Sequence, residues 1–151
     1  MLNFASAKHP GGGFLGGAKA QEESLARSSG LYPSLLKCPA YYQHNRRRSN
    51  ALYSDWMIYS PACPIWRRDD GSWLEMPYTV DFITSPAPNA GAVRVNSPAD
   101  IPQIAPTLVD RSAKVLALAA RWRCEALILG AWGCGVFRSD PLRLPMPSGS
   151  T

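Results

Sequence analysis

The sequence predicts an α/β layer protein. Strand-like runs alternate with helical ones along the chain, and the clearest 3.6-residue periodicity starts only at Thr107. In addition, two glycine-rich loops each follow a strand-like run. Open α/β sheets bind ligands beyond the carboxyl ends of their strands, which is where both loops fall in this reading. With 151 residues, 46% of them hydrophobic, the chain suits one compact domain.

The elements follow in order. Met1-Leu2-Asn3-Phe4-Ala5 reads as the last residues of a strand, because strands usually run to about five or six residues and a polar turn comes at once. Gly11-Gly12-Gly13 is a turn able to bring backbone N–H groups against a ligand. Residues 20–29 make a short helix with Leu25 and Ala26 on its apolar side, stopped by Gly30 and Pro33. Gln21, Glu22 and Glu23 occupy its first turn, where the helix dipole favours negative charge. Residues 41–50 are polar and arginine-rich, a surface helix or loop. Residues 56–59 form a short apolar run and residues 79–84 a better strand, each stopping at Ser-Pro.

Residues 86–106 hold five prolines and predict a long irregular connection. From Thr107, Leu108, Val115, Leu118, Ala119 and Trp122 share one helical face, with Asp110 and Lys114 four apart. Residues 126–129 predict an apolar strand that runs into the loop 130–137. Ser139-Asp140-Pro141 is a helix-start signal that leads into a Pro-, Ser- and Gly-rich tail, residues 142–151.

Composition narrows the function. The formal net charge of +5 is concentrated in Arg46, Arg47, Arg48, Arg67 and Arg68, which fits either a polyanionic or phosphorylated partner or a plain solvated loop. Cys38, Cys63, Cys124 and Cys134 lie far apart without a Cys-x-x-Cys, so no zinc site is expected. Neither a signal-peptide pattern nor a bilayer-length apolar run is present, so a soluble intracellular protein with reduced thiols is expected. Aromatics occur without the repeated sheet pattern of a single-strand nucleic-acid binder.

Two groups of residues carry candidate chemistry. Glu22 and Glu23, next to an amide and a three-glycine turn, suit general acid–base work; the alternative is a pair of solvated first-turn carboxylates. The loop 130–137 can cradle a diphosphate on successive N–H groups with Phe137 as an apolar wall, or be a tight turn. It lacks the Gly-Lys-Ser/Thr of a Walker A loop and the position of a Rossmann fingerprint. His9, beside the glycine turn, and His44, beside the arginines, read as plain loop or surface histidines.

The segments Asn3-Phe4-Ala5-Ser6-Ala7, Pro10-Gly11-Gly12-Gly13-Phe14 and Gln21-Glu22-Glu23-Ser24-Leu25 resemble the signature of the microbial-type poly(ADP-ribose) glycohydrolases, macrodomain-fold enzymes in which three glycines precede Gln-Glu-Glu. The resemblance continues through Tyr53-Ser54-Asp55, Ile58-Tyr59-Ser60-Pro61, Ser85-Pro86-Ala87-Pro88-Asn89-Ala90-Gly91 and Leu129-Gly130-Ala131-Trp132-Gly133-Cys134-Gly135-Val136-Phe137. It implies a three-layer α/β/α macrodomain-like fold with a mixed sheet, spanning residues 1–141 and incomplete at both ends relative to that family.

The resemblance also implies an activity: hydrolysis of ribose–ribose O-glycosidic bonds in poly(ADP-ribose), releasing ADP-ribose. The alternatives are a non-catalytic ADP-ribose binder and an inactive fragment of the enzyme. Glu23 takes the catalytic position, while Glu22 and Gln21 bind or orient the ribose at the bond being cut. Asn3, Gly11, Gly12 and Gly13 hold that ribose. Gly130, Gly133, Cys134, Gly135, Val136 and Phe137 form the diphosphate loop and sugar wall. No cofactor or metal is implied, and the expected partner is poly(ADP-ribose) or an ADP-ribosylated protein in the cytoplasm.

Overall fold

In a computed structural model of the chain, the structure describes residues 1–134. Three strands, β1 (Leu2–Phe4), β2 (Ile58–Arg67) and β3 (Trp73–Ser85), form a mixed sheet of order β1-β3-β2. β1 runs parallel to β3, with Leu2 opposite Ile83, Asn3 opposite Thr84 and Phe4 opposite Ser85. β2 and β3 are an antiparallel hairpin. Its turn places Gly71 at φ +86°, a left-handed conformation that glycine adopts without steric cost.

Helices cover both faces, as in the predicted three-layer arrangement. Successive strand residues point to opposite sides, and Phe82 and Ile83 separate the two cores. Phe82 packs with Leu31, Leu35, Tyr41, Tyr42 and Ile58 beneath α1 (Gln21–Ser28), α2 (Leu31–Leu36) and α3 (Pro39–Arg46). Ile83 packs with Leu2, Leu108, Val115, Ala119 and Trp132, mostly from α5 (Ile104–Arg121). Each such buried side chain contributes on the order of 1.5–3 kcal/mol relative to exposure.

Several local expectations are corrected. β2 does not stop at Ser60 but continues through Pro61 and Pro64 to Arg67. It is an edge strand, where missing donors are tolerated, and a register shift between Ser60 and Cys63 absorbs the first proline. β3 starts at Trp73, six residues before the predicted strand. Residues 41–50 are not simply surface, since α3 buries Tyr41, Tyr42 and Asn45. Residues 86–106 are not irregular throughout: α4 (Ala90–Asn96) is capped by the Asn89 side chain accepting from Ala92 N at 3.0 Å, and a 3-10 helix spans Pro98–Gln103.

α5 buries Leu108, Val115 and Ala119 as predicted, and Asp110 pairs with Lys114 at 2.5 Å. Trp122 is less buried than the rest of that face. It follows the last helical residue, is half exposed, and stacks on Tyr59 with ring centroids 4.2 Å apart. Arg111 was not foreseen. One turn from Leu108, it is almost wholly buried and donates to Asp55 Oδ1 (2.9 Å), Leu52 O (3.1 Å) and Pro86 O (2.7 Å). It thereby ties the segment before β2 to the one after β3.

The predicted strand at 126–129 does not form. Among the described residues its backbone hydrogen bond to β1 is Leu2 N donating to Ile128 O at 3.0 Å, while Leu127 packs against the core around Leu2 and Ile83. Two further groups on that edge of β1 are taken by a side chain: Gln21 Nε2 donates to Leu2 O (2.9 Å), and Phe4 N donates to Gln21 Oε1 (2.9 Å). The Ser139-Asp140-Pro141 signal and the tail lie outside the described residues.

Candidate active site

The first site element follows from β1. Asn3 faces the opposite side of the sheet from Leu2 and Phe4, and is fully buried beside Thr84. Its Nδ2 donates to Thr84 Oγ1 (3.1 Å) and Glu22 Oε1 (3.2 Å). Asn3 Oδ1 is buried with no protein partner, which leaves one acceptor available. Gln21, with both amide groups on the β1 backbone, holds α1 against the strand that carries Asn3.

Glu22 and Glu23 are both buried and both border Gly12, but adjacent helical positions point about 100° apart and the two accept from different groups. Glu22 points inward. It is 3% exposed, and its Oε2 accepts from Ser6 N at 2.6 Å. Burial pushes its carboxyl up to about 7, against the lowering effect of the bonds from Ser6, Asn3 and Gly11. The two tyrosines of the adjoining core, packed edge to face at 4.7 Å, have phenol pKa values raised by burial and by the nearby Glu22 charge.

Glu23 points to the glycine turn. Its Oε1 accepts from Gly13 N (3.0 Å) and its Oε2 from Ala20 N (3.1 Å), the second bond also satisfying the N-cap of α1. Gly11 and Gly12 have φ of +69° and +61°. A Cβ built on Gly12 would lie 2.2 Å from Glu23 Oε1 and 3.2 Å from Glu22 Oε2, so no side chain fits between the turn and the carboxylates. A Cβ at Gly11 would meet the ring of Phe14 at 2.9 Å.

The second glycine loop reaches β1 from its other face. A Cβ on Gly130 would lie 2.7 Å from Phe4 Cζ, so glycine lets this backbone touch the ring. Gly133 is buried at φ +83°, and Cys134 is half-buried. Gly135, Val136 and Phe137 lie outside the described residues. The two loops therefore flank the carboxyl end of β1.

Residues 1–68 match the family model of the microbial-type PARG catalytic domain. The fold is similar to that of the poly(ADP-ribose) glycohydrolase of Deinococcus radiodurans in complex with ADP-ribose, with a TM-score of 0.89, 56% identity, and 93% of this chain covering 56% of that one. The Thermomonospora curvata enzyme bound to the inhibitor ADP-HPD gives 0.88 and 56%, with 93% of this chain covering 52% of that one. This chain is related to the bacterial poly(ADP-ribose) glycohydrolases. It spans about half the length of the glycohydrolase structures it matches. No curated protein matches it.

Within this glycohydrolase-related fold, the residues singled out from the sequence that the structure brings together are Asn3, Gly11, Gly12, Gly13, Gln21, Glu22 and Glu23. Three contributors were missed: Thr84 and the backbone N–H groups of Ser6 and Ala20. Nothing in the sequence marks Thr84, because the parallel pairing that sets it beside Asn3 joins residues 81 apart. Ser6 was visible only as part of the Asn-Phe-Ala-Ser-Ala segment. Among the described residues, no group of three or more His, Cys, Asp or Glu could hold a metal, and no helix is long and apolar enough to cross a membrane.

Proposed function

We propose that the chain hydrolyses ribose–ribose O-glycosidic bonds in poly(ADP-ribose), releasing ADP-ribose, with Glu23 as the catalytic acid and base. The observation that carries this reading is the division of labour between adjacent carboxylates. Glu22 is turned into the protein on Asn3 and Ser6, while Glu23 is presented on the N–H groups of Gly13 and Ala20 at the glycine turn.

Glu23 protonates the leaving ribose oxygen as the glycosidic C–O bond breaks and the anomeric carbon gains oxocarbenium character. The same carboxylate then takes a proton from the incoming water, whose oxygen bonds to that carbon. Two carboxyls straddling the bond, the usual glycosidase arrangement, are not available from neighbouring helical positions. Glu22 instead positions Asn3, whose free Oδ1 accepts a ribose hydroxyl. Gln21 is a positioning residue, because its amide is committed to β1. Gly130, Gly133, Cys134, Gly135, Val136 and Phe137 are proposed to hold the diphosphate and sugar, with no cofactor. Residues 1–141 are read as the domain concerned. Its four free cysteines suit a reducing cytoplasm.

The test is release of ADP-ribose from labelled polymer by the purified chain, separated chromatographically and compared with Glu23→Gln. ADP-ribose binding without release by the unsubstituted chain would leave a binding module in place of the enzyme.

A further inference from the structure

Cations are tethered around the turn that holds Glu23, and the proposed acid–base chemistry leaves them unused. On one side, Arg46 at the end of α3 donates Nη1 to Lys8 O at 2.7 Å, and the next carbonyl, His9 O, accepts from Gly12 N at 3.0 Å. On the other side, Arg27 donates Nη1 to Ala18 O at 2.7 Å, and Ala18 N donates to Gly13 O at 3.2 Å. Lys19 directly precedes the Ala20 N–H that holds Glu23. Lys19, Arg27, Arg46 and its neighbour Arg47 are exposed.

Among the described residues, the ion pairs involve only Arg111, Lys114, Asp55 and Asp110, so none engages this collar. Gathering like charges without an acid paired to them raises the local potential and favours an anionic partner. Each tethered guanidinium uses one nitrogen on a carbonyl and keeps its remaining donors for phosphate oxygens.

We propose that this collar binds the diphosphate of the adjoining ADP-ribose unit of the polymer, the unit on the leaving-group side of the bond being cut. The inference rests on the glycohydrolase reading above. In that reading the diphosphate of the unit being released belongs to the second glycine loop, on the Phe4 face of β1. The collar sits on the other loop, beside Glu23, where the leaving oxygen and the rest of the polymer depart. The collar therefore favours polymer over free ADP-ribose.

Binding is measured on the 151-residue chain carrying Glu23→Gln, which keeps the polymer intact during titration. Labelled poly(ADP-ribose) and ADP-ribose are titrated at several salt concentrations. Two double variants are compared: Lys19→Glu with Arg27→Glu, and Lys19→Gln with Arg47→Gln, the second keeping both tethering hydrogen bonds. Polymer affinity is expected to fall about tenfold or more in the charge-reversed variant, with ADP-ribose affinity within about twofold. The slope of log affinity against log salt becomes shallower by about 1.4 in each, at roughly 0.7 per phosphate contact on a single strand.

Unchanged polymer binding in both variants overturns the proposal, as does equal loss for polymer and ADP-ribose. Single-stranded RNA of equal length binding with the same affinity and salt slope would also overturn it, assigning the collar to polyanions in general. Hydrolysis by the unsubstituted chain is scored separately. Its absence removes the proposed activity, while the titrations still decide the collar.

Discussion

Gly12 and Glu23 are complementary: the space a Cβ would occupy on Gly12 lies 2.2 Å from Glu23 Oε1. The carboxylate can lie against the turn only because this residue has no side chain. Gly12→Ala is therefore expected to displace Glu23, with a further cost of roughly 1 kcal/mol or more from the +61° backbone. Turnover should fall by about 100-fold, as for loss of a general acid–base group. ADP-ribose titration should show a much smaller change. Ordinary turnover in the Gly12→Ala variant would mean that the Gly13 N–H contact to Glu23 is dispensable.

Glu23→Gln preserves shape and the capacity to accept from Gly13 N or Ala20 N while removing proton transfer. Turnover of labelled polymer should drop by at least ~100-fold with ADP-ribose affinity largely kept. Chromatographic quantification of released ADP-ribose and calorimetric titration measure the two quantities. Wild-type rates in this variant would exclude Glu23 from the chemistry.

Glu22 makes stability depend on pH. Its carboxyl is raised from 4.5 to about 7 by burial, so between those values the unfolded chain has released a proton that the folded chain retains. Stability from this group is therefore fully present below about pH 4.5 and is lost as pH rises through 7, amounting to roughly 3–4 kcal/mol at ~1.4 kcal/mol per tenfold change. Urea midpoints measured from pH 4.5 to 8 should decline in the wild-type chain, and Glu22→Gln should flatten that decline. Parallel profiles for the two proteins would show that Glu22 ionises without cost.

Arg111→Leu should destabilise the fold without touching the carboxylates. It leaves the carbonyls of Leu52 and Pro86 without their donor and Asp55 with Lys114 alone. At about 1–3 kcal/mol per buried group left unsatisfied, a loss of at least ~2 kcal/mol is expected in urea unfolding. A variant as stable as the parent would show that water replaces the guanidinium.

Much of the site was legible because its parts are close together in the chain. The three glycines and Gln-Glu-Glu form one short segment, and the turn requires φ values that only glycine adopts easily, so the chemistry leaves a visible pattern. The helices over 20–29 and from 107 onwards were legible from caps and periodicity. The strand at 126–129 was not. Its apolar residues satisfy every local criterion, but β1 offers it Leu2 N while Leu2 O and Phe4 N are taken by the Gln21 amide, a competitor 19 residues along from Leu2. Nor did local pattern foretell that β2 would run past two prolines, since that tolerance depends on being an edge strand.

The sequence alone carried the fold class, through its alternating strand-like and helical runs, and the family resemblance, through a glutamate motif whose glycine turn is a local backbone requirement. Tertiary contacts gave Glu22 and Glu23 different hydrogen-bond partners, set the Gln21 amide on the backbone of β1, and placed Thr84 beside Asn3. Those outcomes depend on which polar groups meet after the β1–β3 pairing and the docking of α1. Glu22 ends on Asn3 Nδ2 and Ser6 N and Glu23 on Gly13 N and Ala20 N, a distinction between identical side chains that only their surroundings can make.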